Sequence, residues 1–194
     1  MTEIVPIGEK KIITGAAGIF FNTKGEILSV LEREGEKQQK SRKRAGQLFV
    51  PAGKKRSHET MKEAMRREAG EEGGLKEEFN IFGENDLHQK GELKLETHDA
   101  ILSVEVFGCK KELAPDVLET YHNFYTHEII QRAFFDIREL LEFDLDKIRP
   151  GLYEIIYLFY GGKVEETIYI ENGKYRAEDG KRIEDIKQKI RDLL

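Results

Sequence analysis

One cysteine, four prolines and no tryptophan in 194 residues exclude several kinds of protein at once. A lone thiol cannot build a disulfide framework, and so little proline, without repeats or low-complexity stretches, excludes a collagen-like or linker chain. The longest apolar stretches fall short of the ~18–20 residues a membrane span needs. The start, MTEIVPIGEKK, lacks the apolar core of a secretion signal. Positive charge is short as well: 32 Lys and Arg against 37 Asp and Glu give a formal charge of -5, which argues against a dedicated duplex-nucleic-acid binder. We expect a cytoplasmic globular chain of about one domain's length with a small appendage. Cys109, in the apolar run AILSVEVFGC, reads as a buried strand thiol, since no electropositive neighbour is visible to lower its pKa.

Two β-rich runs, KIITGAAGIFF and EILSVLERE, flank the break NTKG and predict a hairpin. The polar stretch from Glu32 to Gln47 predicts an exposed loop, with positive charge concentrated at Lys40, Arg42, Lys43 and Arg44, before a short strand Gln47 to Val50. After Pro51 a loop is expected, then a helix opened by Thr60 with Glu63 three residues on, the spacing of a capping box, and closed by Gly73-Gly74. GELKLE predicts an edge strand and AILSVEVFGC a central one. A strand around Ala133 to Ile137 leads into a helix near Asp136, and RPGLYEIIYLFYGG predicts a second helix with Pro150 in its first turn. The tail predicts a hairpin at Asn172-Gly173 and a helix with apolar spacing at Ile183, Ile186, Ile190 and Leu193.

The chemistry concentrates in GKKRSHETMKEAMRREAGEEGGL, residues 53–75. At 100° per residue, Met61, Ala64 and Met65 mark an apolar stripe; Glu68 and Glu72 lie along it and Glu71 at its margin. Ionised carboxylates facing an interior cost several kcal/mol each unless paired or bound to cations, and the stripe itself carries no Lys or Arg. Crowded oxygen donors suit Mg²⁺ or Mn²⁺ bridging to substrate phosphates. The competing reading is a solvated face on which these acids pair with Arg66, Arg67 and Lys76.

Residues Gly53 to Leu75 resemble the Nudix box: Gly53, five residues, Glu59, seven residues, then Arg67-Glu68-aliphatic-any-Glu71-Glu72-any-Gly74-aliphatic, with every fixed position filled. At this chain's residue frequencies, a shuffled copy matches about once in 10⁵ to 10⁶. QLFVPAG before it and THEIIQRAFFDIREL after it also resemble the family. The resemblance implies an α/β fold, an α/β/α sandwich with a mixed sheet, over residues 1–162, and residues 163–194 as a hairpin and amphipathic-helix extension. It implies a hydrolase of the pyrophosphate in a nucleoside diphosphate linked to another group, with ADP-ribose or a nucleotide sugar as the guessed substrate. Glu68, Glu71 and Glu72 would bind Mg²⁺ or Mn²⁺, with the Ala52 carbonyl as a further ligand, while Arg67 and Glu59 would hold loop and helix in shape by ion pairing. Either Glu71 or the loop acid Glu128 would take the proton of the attacking water. Members are frequently homodimers, so the tail is a candidate dimer element.

Against this reading stand a nucleotide sensor that keeps the fold without turnover, and an isomerase of the related prenyl-diphosphate type, which would need a reactive cysteine. The basic loop could grip a polyphosphate or an RNA end or simply be solvated. Phe124, Tyr125, Tyr157 and Tyr160 could stack a base or pack in the core. The five histidines at 58, 88, 98, 122 and 127 share no metal-ligand spacing, and His127 stands out only for its place beside Glu128.

Overall fold

The computed structural model describes residues 10–32, 46–75, 82–114 and 129–194. Strand β1 (Lys11–Ile19) pairs antiparallel with β4 (Ala52–Lys54) on one edge and parallel with β6 (Ala100–Cys109) on the other. Its run of Gly15, Ala16, Ala17 and Gly18 permits close approach: a Cβ on Gly15 would stand 2.6 Å from the Gly53 carbonyl oxygen, and one on Gly18 2.7 Å from Met65 Sδ. Strand β6 runs antiparallel to β5 (Leu87–Glu96), which takes β8 (Ile168–Glu171) as a parallel neighbour at Leu95 and Glu96. With β9 (Lys174–Tyr175) this makes a six-stranded mixed sheet, β4-β1-β6-β5-β8-β9. A second, antiparallel sheet holds β3 (Leu48–Phe49), β2 (Ile27–Glu32) and β7 (Ile129–Phe135), with β2 in the centre.

Successive strand residues face opposite ways, and the large sheet therefore supports two cores. Ala16 and Phe107 join Ala64, Met65 and Ala69 of helix α1 (Met61–Glu71) on one face. Ala17 and Val106 join Leu152, Ile155 and Ile156 of a further helix, Leu152–Phe159, on the other. Between β7 and that helix lies α2 (Ile137–Glu142), capped by Asp136, whose side chain accepts from the Arg138 N–H; the Leu152–Phe159 helix is accordingly α3. Helix α4 (Gly180–Leu193) packs on α3 and buries Ile183, Ile186 and Ile190, worth about 1.5–3 kcal/mol each. The arrangement is a mixed α/β fold with helices on both faces of a mixed sheet.

A charge inside the apolar sequence LYEIIYLF joins the tail to α3. Glu154 is fully buried; it accepts from Tyr175 Oη at 2.7 Å and from Arg182 Nη1 at 3.2 Å. Burial pushes its carboxyl up, while Tyr175 and Arg182 oppose that push. Tyr175 Oη also accepts from the Gly151 N–H at 2.8 Å.

Several expectations are corrected. The runs expected to form a hairpin lie in different sheets and, among the described residues, pair at the Phe21–Ile27 bridge, across a turn in which Asn22 Oδ1 accepts from the Lys24 and Glu26 N–H groups. Both edges of β1 are taken by β4 and β6, which leaves β2 to pair with β3 and β7. The expected loop after Pro51 begins with the short strand β4 and continues as loop to Thr60, and the expected edge strand β5 is partly covered by β8. Pro150 precedes α3 instead of entering its first turn, because Gly151, at φ 102°, forms the cap. Leu193 is 49% exposed and stands apart from the buried isoleucines of α4. The tail turn follows expectation, with Asn172 and Gly173 at φ 51° and 73°, the left-handed pair of a two-residue hairpin.

Candidate active site

Helix α1 starts where short-range chemistry demands. Thr60 Oγ1 accepts from the Glu63 N–H at 3.2 Å, and Glu63 Oε2 accepts from the Thr60 N–H at 2.6 Å, so two of the helix's orphan donors are satisfied. From that start the pitch carries Ala64, Met65, Glu68 and Ala69 to the buried face. Glu68 and Glu72 are only 7% and 6% exposed, whereas the Glu71 side chain is 48% exposed. The inward pair and the marginal third acid stand as the helical spacing predicts.

Arg67 organises these acids. Its Nε donates to Glu59 Oε1 at 2.7 Å and its Nη2 to Glu59 Oε2 at 3.2 Å, the planar fork that suits a carboxylate. Nη1 donates to Glu68 Oε1 at 2.5 Å and to Glu71 Oε2 at 3.0 Å, and Nη2 reaches the Lys54 carbonyl at 2.9 Å. Hydrogen bonding to Arg67 is the main cause that holds the Glu59 carboxyl down at about 2, against an ordinary 4.5. The expectation that no cation neutralises the acid stripe is thus corrected: Arg67 lies off the stripe, but its long side chain reaches round to Glu68. The competing ion-pair reading holds for Arg67 with Glu68 and Glu71; Arg66 pairs instead with Glu84, and Lys76 lies outside the described residues.

Two backbone features seat the buried acids. Glu72 Oε2 accepts from the Ala52 N–H at 2.9 Å, which ties the helix end to β4. A Cβ on Gly53 would lie 2.0 Å from Glu68 Oε1, so only glycine leaves room for the Glu68 carboxylate in this position. Arg132 on β7, which sequence reasoning passed over, closes the same helix end. Its Nε donates to the Glu72 carbonyl at 2.5 Å and its Nη2 to the Glu71 carbonyl at 3.2 Å, partnering carbonyls that a helix terminus leaves unpaired. The available signal was a lone charge within the apolar strand IIQRAFF.

Glu68 and Glu72 open onto a cavity of about 510 Å³. Ala52, Gly53 and Lys54 line it beside the acids, and Leu93, Leu95, Leu102 and Val104 supply an apolar wall from β5 and β6. Phe49 and Arg149 also line it, the guanidinium 4.6 Å from the ring centroid. Neither residue was singled out from sequence, because they meet only when β3 passes the segment before α3.

Among the described residues no group of three His, Cys, Asp or Glu side chains is arranged to hold a metal ion. Glu68 and Glu71 share Arg67, and Glu71 Oε1 also accepts from Arg56 Nη2 at 3.2 Å. The donor chemistry nevertheless fits a hard divalent cation: two nine-tenths-buried carboxylates lie on a cavity wall, with a third, Glu71, on the same helix and held by Arg56 and Arg67. Glu128, His122, His127, Phe124, Tyr125 and the basic loop 40–44 lie outside the described residues. Tyr157 and Tyr160 do not line the cavity, and neither does Cys109, which is buried with its thiol pushed up to about 11, chiefly by burial. That removes the reactive thiol an isomerase would use.

Comparison with known proteins matches residues 11–159 to the NUDIX domain family model. The chain belongs to the Nudix hydrolase family. Among solved structures, a MutT protein from Methanosarcina mazei Go1 is similar at 23% identity and TM-score 0.58, over 78% of this chain and 93% of that one. A NUDIX hydrolase from Nitrosomonas europaea is similar at 17% identity and TM-score 0.55, over 87% and 95% of the two chains. At these identities the likeness concerns the Nudix fold. A search of curated proteins gives no significant match. Among the described residues no helix is long and apolar enough to cross a membrane.

Proposed function

We propose that this Nudix protein is a divalent-cation-dependent hydrolase that cleaves the pyrophosphate of a nucleoside diphosphate linked to a second group. The observation that carries the reading is the pair Glu68 and Glu72, both nine-tenths buried and both opening onto one cavity of about 510 Å³ with an apolar wall. Arg67 and the Ala52 N–H hold the two carboxylates in place, and oxygen donors converging on a substrate-sized cleft suit a hard divalent cation.

Glu68, Glu71 and Glu72 would hold Mg²⁺ or Mn²⁺ with the Ala52 carbonyl, and the bound cation would supply charge neutralisation on the phosphates and a more acidic water. The protein's own work is positional. Arg67 and Glu59 brace the strand-to-helix loop, the Ala52 N–H orients Glu72, and Gly53 leaves space for Glu68. Glu71 or Glu128 accepts the proton as water oxygen bonds to phosphorus and the bridging oxygen leaves with its electron pair. For Glu71 this requires release from Arg56 and Arg67. The single cysteine and a nucleotide substrate suit a cytoplasmic enzyme. Residues 163–194 serve in this reading as an extension that braces α3 behind the cavity.

The test is Glu72→Gln, assayed on nucleotide substrates with Mg²⁺ and Mn²⁺. The amide retains an oxygen acceptor for the Ala52 N–H, so the fold should persist while turnover falls at least about a hundredfold. Turnover near that of the unsubstituted protein would overturn the assignment.

A further inference from the structure

A second concavity, also about 510 Å³, adjoins the first and is lined by Lys54, Lys55, Arg56, Ser57, Arg67 and Glu68. Lys54 and Glu68 line both hollows, which therefore meet beside the acid pair. One hollow is mainly apolar; the other is basic. Among the described residues the Lys54 and Lys55 ammonium groups have no carboxylate partner, and Arg56 shares only an open pair with Glu71, the two side chains 53% and 48% exposed. In a chain of formal charge -5, two ammonium groups without a carboxylate partner and a solvent-open guanidinium, consecutive in sequence and beside a cluster of acids, call for an anionic ligand. Their backbone is held in place: the Lys55 N–H donates to the Thr14 carbonyl at 3.0 Å, the Arg56 N–H to Glu59 Oε2 at 2.9 Å, and the Lys54 carbonyl accepts from Arg67. The cations are thus presented by a braced loop.

We propose that this basic hollow is an anion subsite for phosphate beyond the scissile linkage, so that the preferred substrate carries a chain of at least three phosphates. This rests on the hydrolase reading above and narrows it. With the nucleoside against the apolar wall and the scissile pyrophosphate at Glu68, the group on the far side of the bond lies among Lys54, Lys55 and Arg56. A neutral sugar there leaves those charges unanswered, whereas a phosphate satisfies them with charge-assisted hydrogen bonds. The inference displaces ADP-ribose and nucleotide sugars as the expected substrates in favour of nucleoside triphosphates and dinucleoside polyphosphates.

Two measurements test it on the full chain. The first compares kcat/KM with Mg²⁺ for nucleoside triphosphates and dinucleoside polyphosphates against ADP-ribose and nucleotide sugars, before and after the double substitution Lys55→Ala, Arg56→Ala. The polyphosphates should lead by about tenfold or more, and the double variant should lose about tenfold of that lead, mainly through KM. The second is calorimetric binding of inorganic tripolyphosphate without metal. Affinity should weaken about tenfold in the double variant and fall with added salt, while the thermal melt confirms that the variant is folded. Preference for ADP-ribose or a nucleotide sugar, or tripolyphosphate affinity unchanged in the variant, would overturn the subsite. If no substrate is turned over but tripolyphosphate binding is lost in the variant, the hydrolase reading fails and the anion subsite stands.

Discussion

Gly53→Ala separates stability from catalysis at one atom. The new Cβ would lie 2.0 Å from Glu68 Oε1, 2.1 Å from Cδ and 2.5 Å from Oε2, so the carboxylate must leave its present position. The clash is with the flexible end of a side chain, and the backbone of β4 and α1 need not move. What is lost is the 2.5 Å contact between Glu68 and Arg67, while Arg67 retains Glu59, Glu71 and the Lys54 carbonyl. A hydrogen bond to a charged group is worth about 1.5–3 kcal/mol, and the guanidinium's remaining partners compensate part of it. A loss of about 1–2 kcal/mol corresponds to a drop in Tm of about 2–8 °C at this chain length. Catalysis should suffer more if Glu68 holds the cation as proposed, since displacing such a ligand by about 1 Å costs on the order of a hundredfold, or about 2.7 kcal/mol. Steady-state hydrolysis of a nucleotide with Mg²⁺ and a thermal melt on the same sample measure the two effects. A folded Gly53→Ala protein with kcat/KM within threefold of the parent would refute the argument that this glycine exists to seat Glu68.

Glu59→Gln should remove one charge from the Arg67 fork and lower stability by about 1.5–3 kcal/mol at neutral pH, measured by urea titration. Because the Glu59 carboxyl is depressed from 4.5 to about 2, its contribution is complete above pH 4.5 and disappears as pH falls towards 2, so the two proteins should converge over that range. Arg132→Met should free the Glu71 and Glu72 carbonyls at the end of α1; the same titration should show a loss of about 1.5–3 kcal/mol, with faster amide exchange confined to the last turn of α1. Tyr175→Phe removes one of two side chains holding the buried Glu154 and should cost about 1–3 kcal/mol, read as a lower Tm. Chelation of divalent cations should abolish turnover while leaving the melt of the metal-free protein unchanged.

What the sequence determined by itself is chemistry that closes over a few residues. The Thr60–Glu63 capping box, the Asn172-Gly173 turn, the Asp136 cap and the inward set of Glu68 and Glu72 each depend on neighbours within one or two helical turns or one hairpin. Such contacts cost little chain entropy to form, so their residues can be read in order. The box motif belongs with them because its spacing is that of a single loop and helix.

Tertiary structure alone decided how distant segments share their bonding capacity. Strand β1 could have paired with β2, but β4 and β6 occupy its edges, and that competition is settled by register and burial across 100 residues or so of chain. Glu72 meets the Ala52 N–H, Arg132 meets the end of α1, and Tyr175 meets Glu154 only after the sheets have assembled. Arg67 shows both regimes in one side chain: its pairs with Glu68 and Glu71 lie within one turn of its own helix, while its bond to the Lys54 carbonyl depends on where β4 stands. A guanidinium has five directed donors and a long flexible stem, and which acceptors it satisfies is determined in three dimensions.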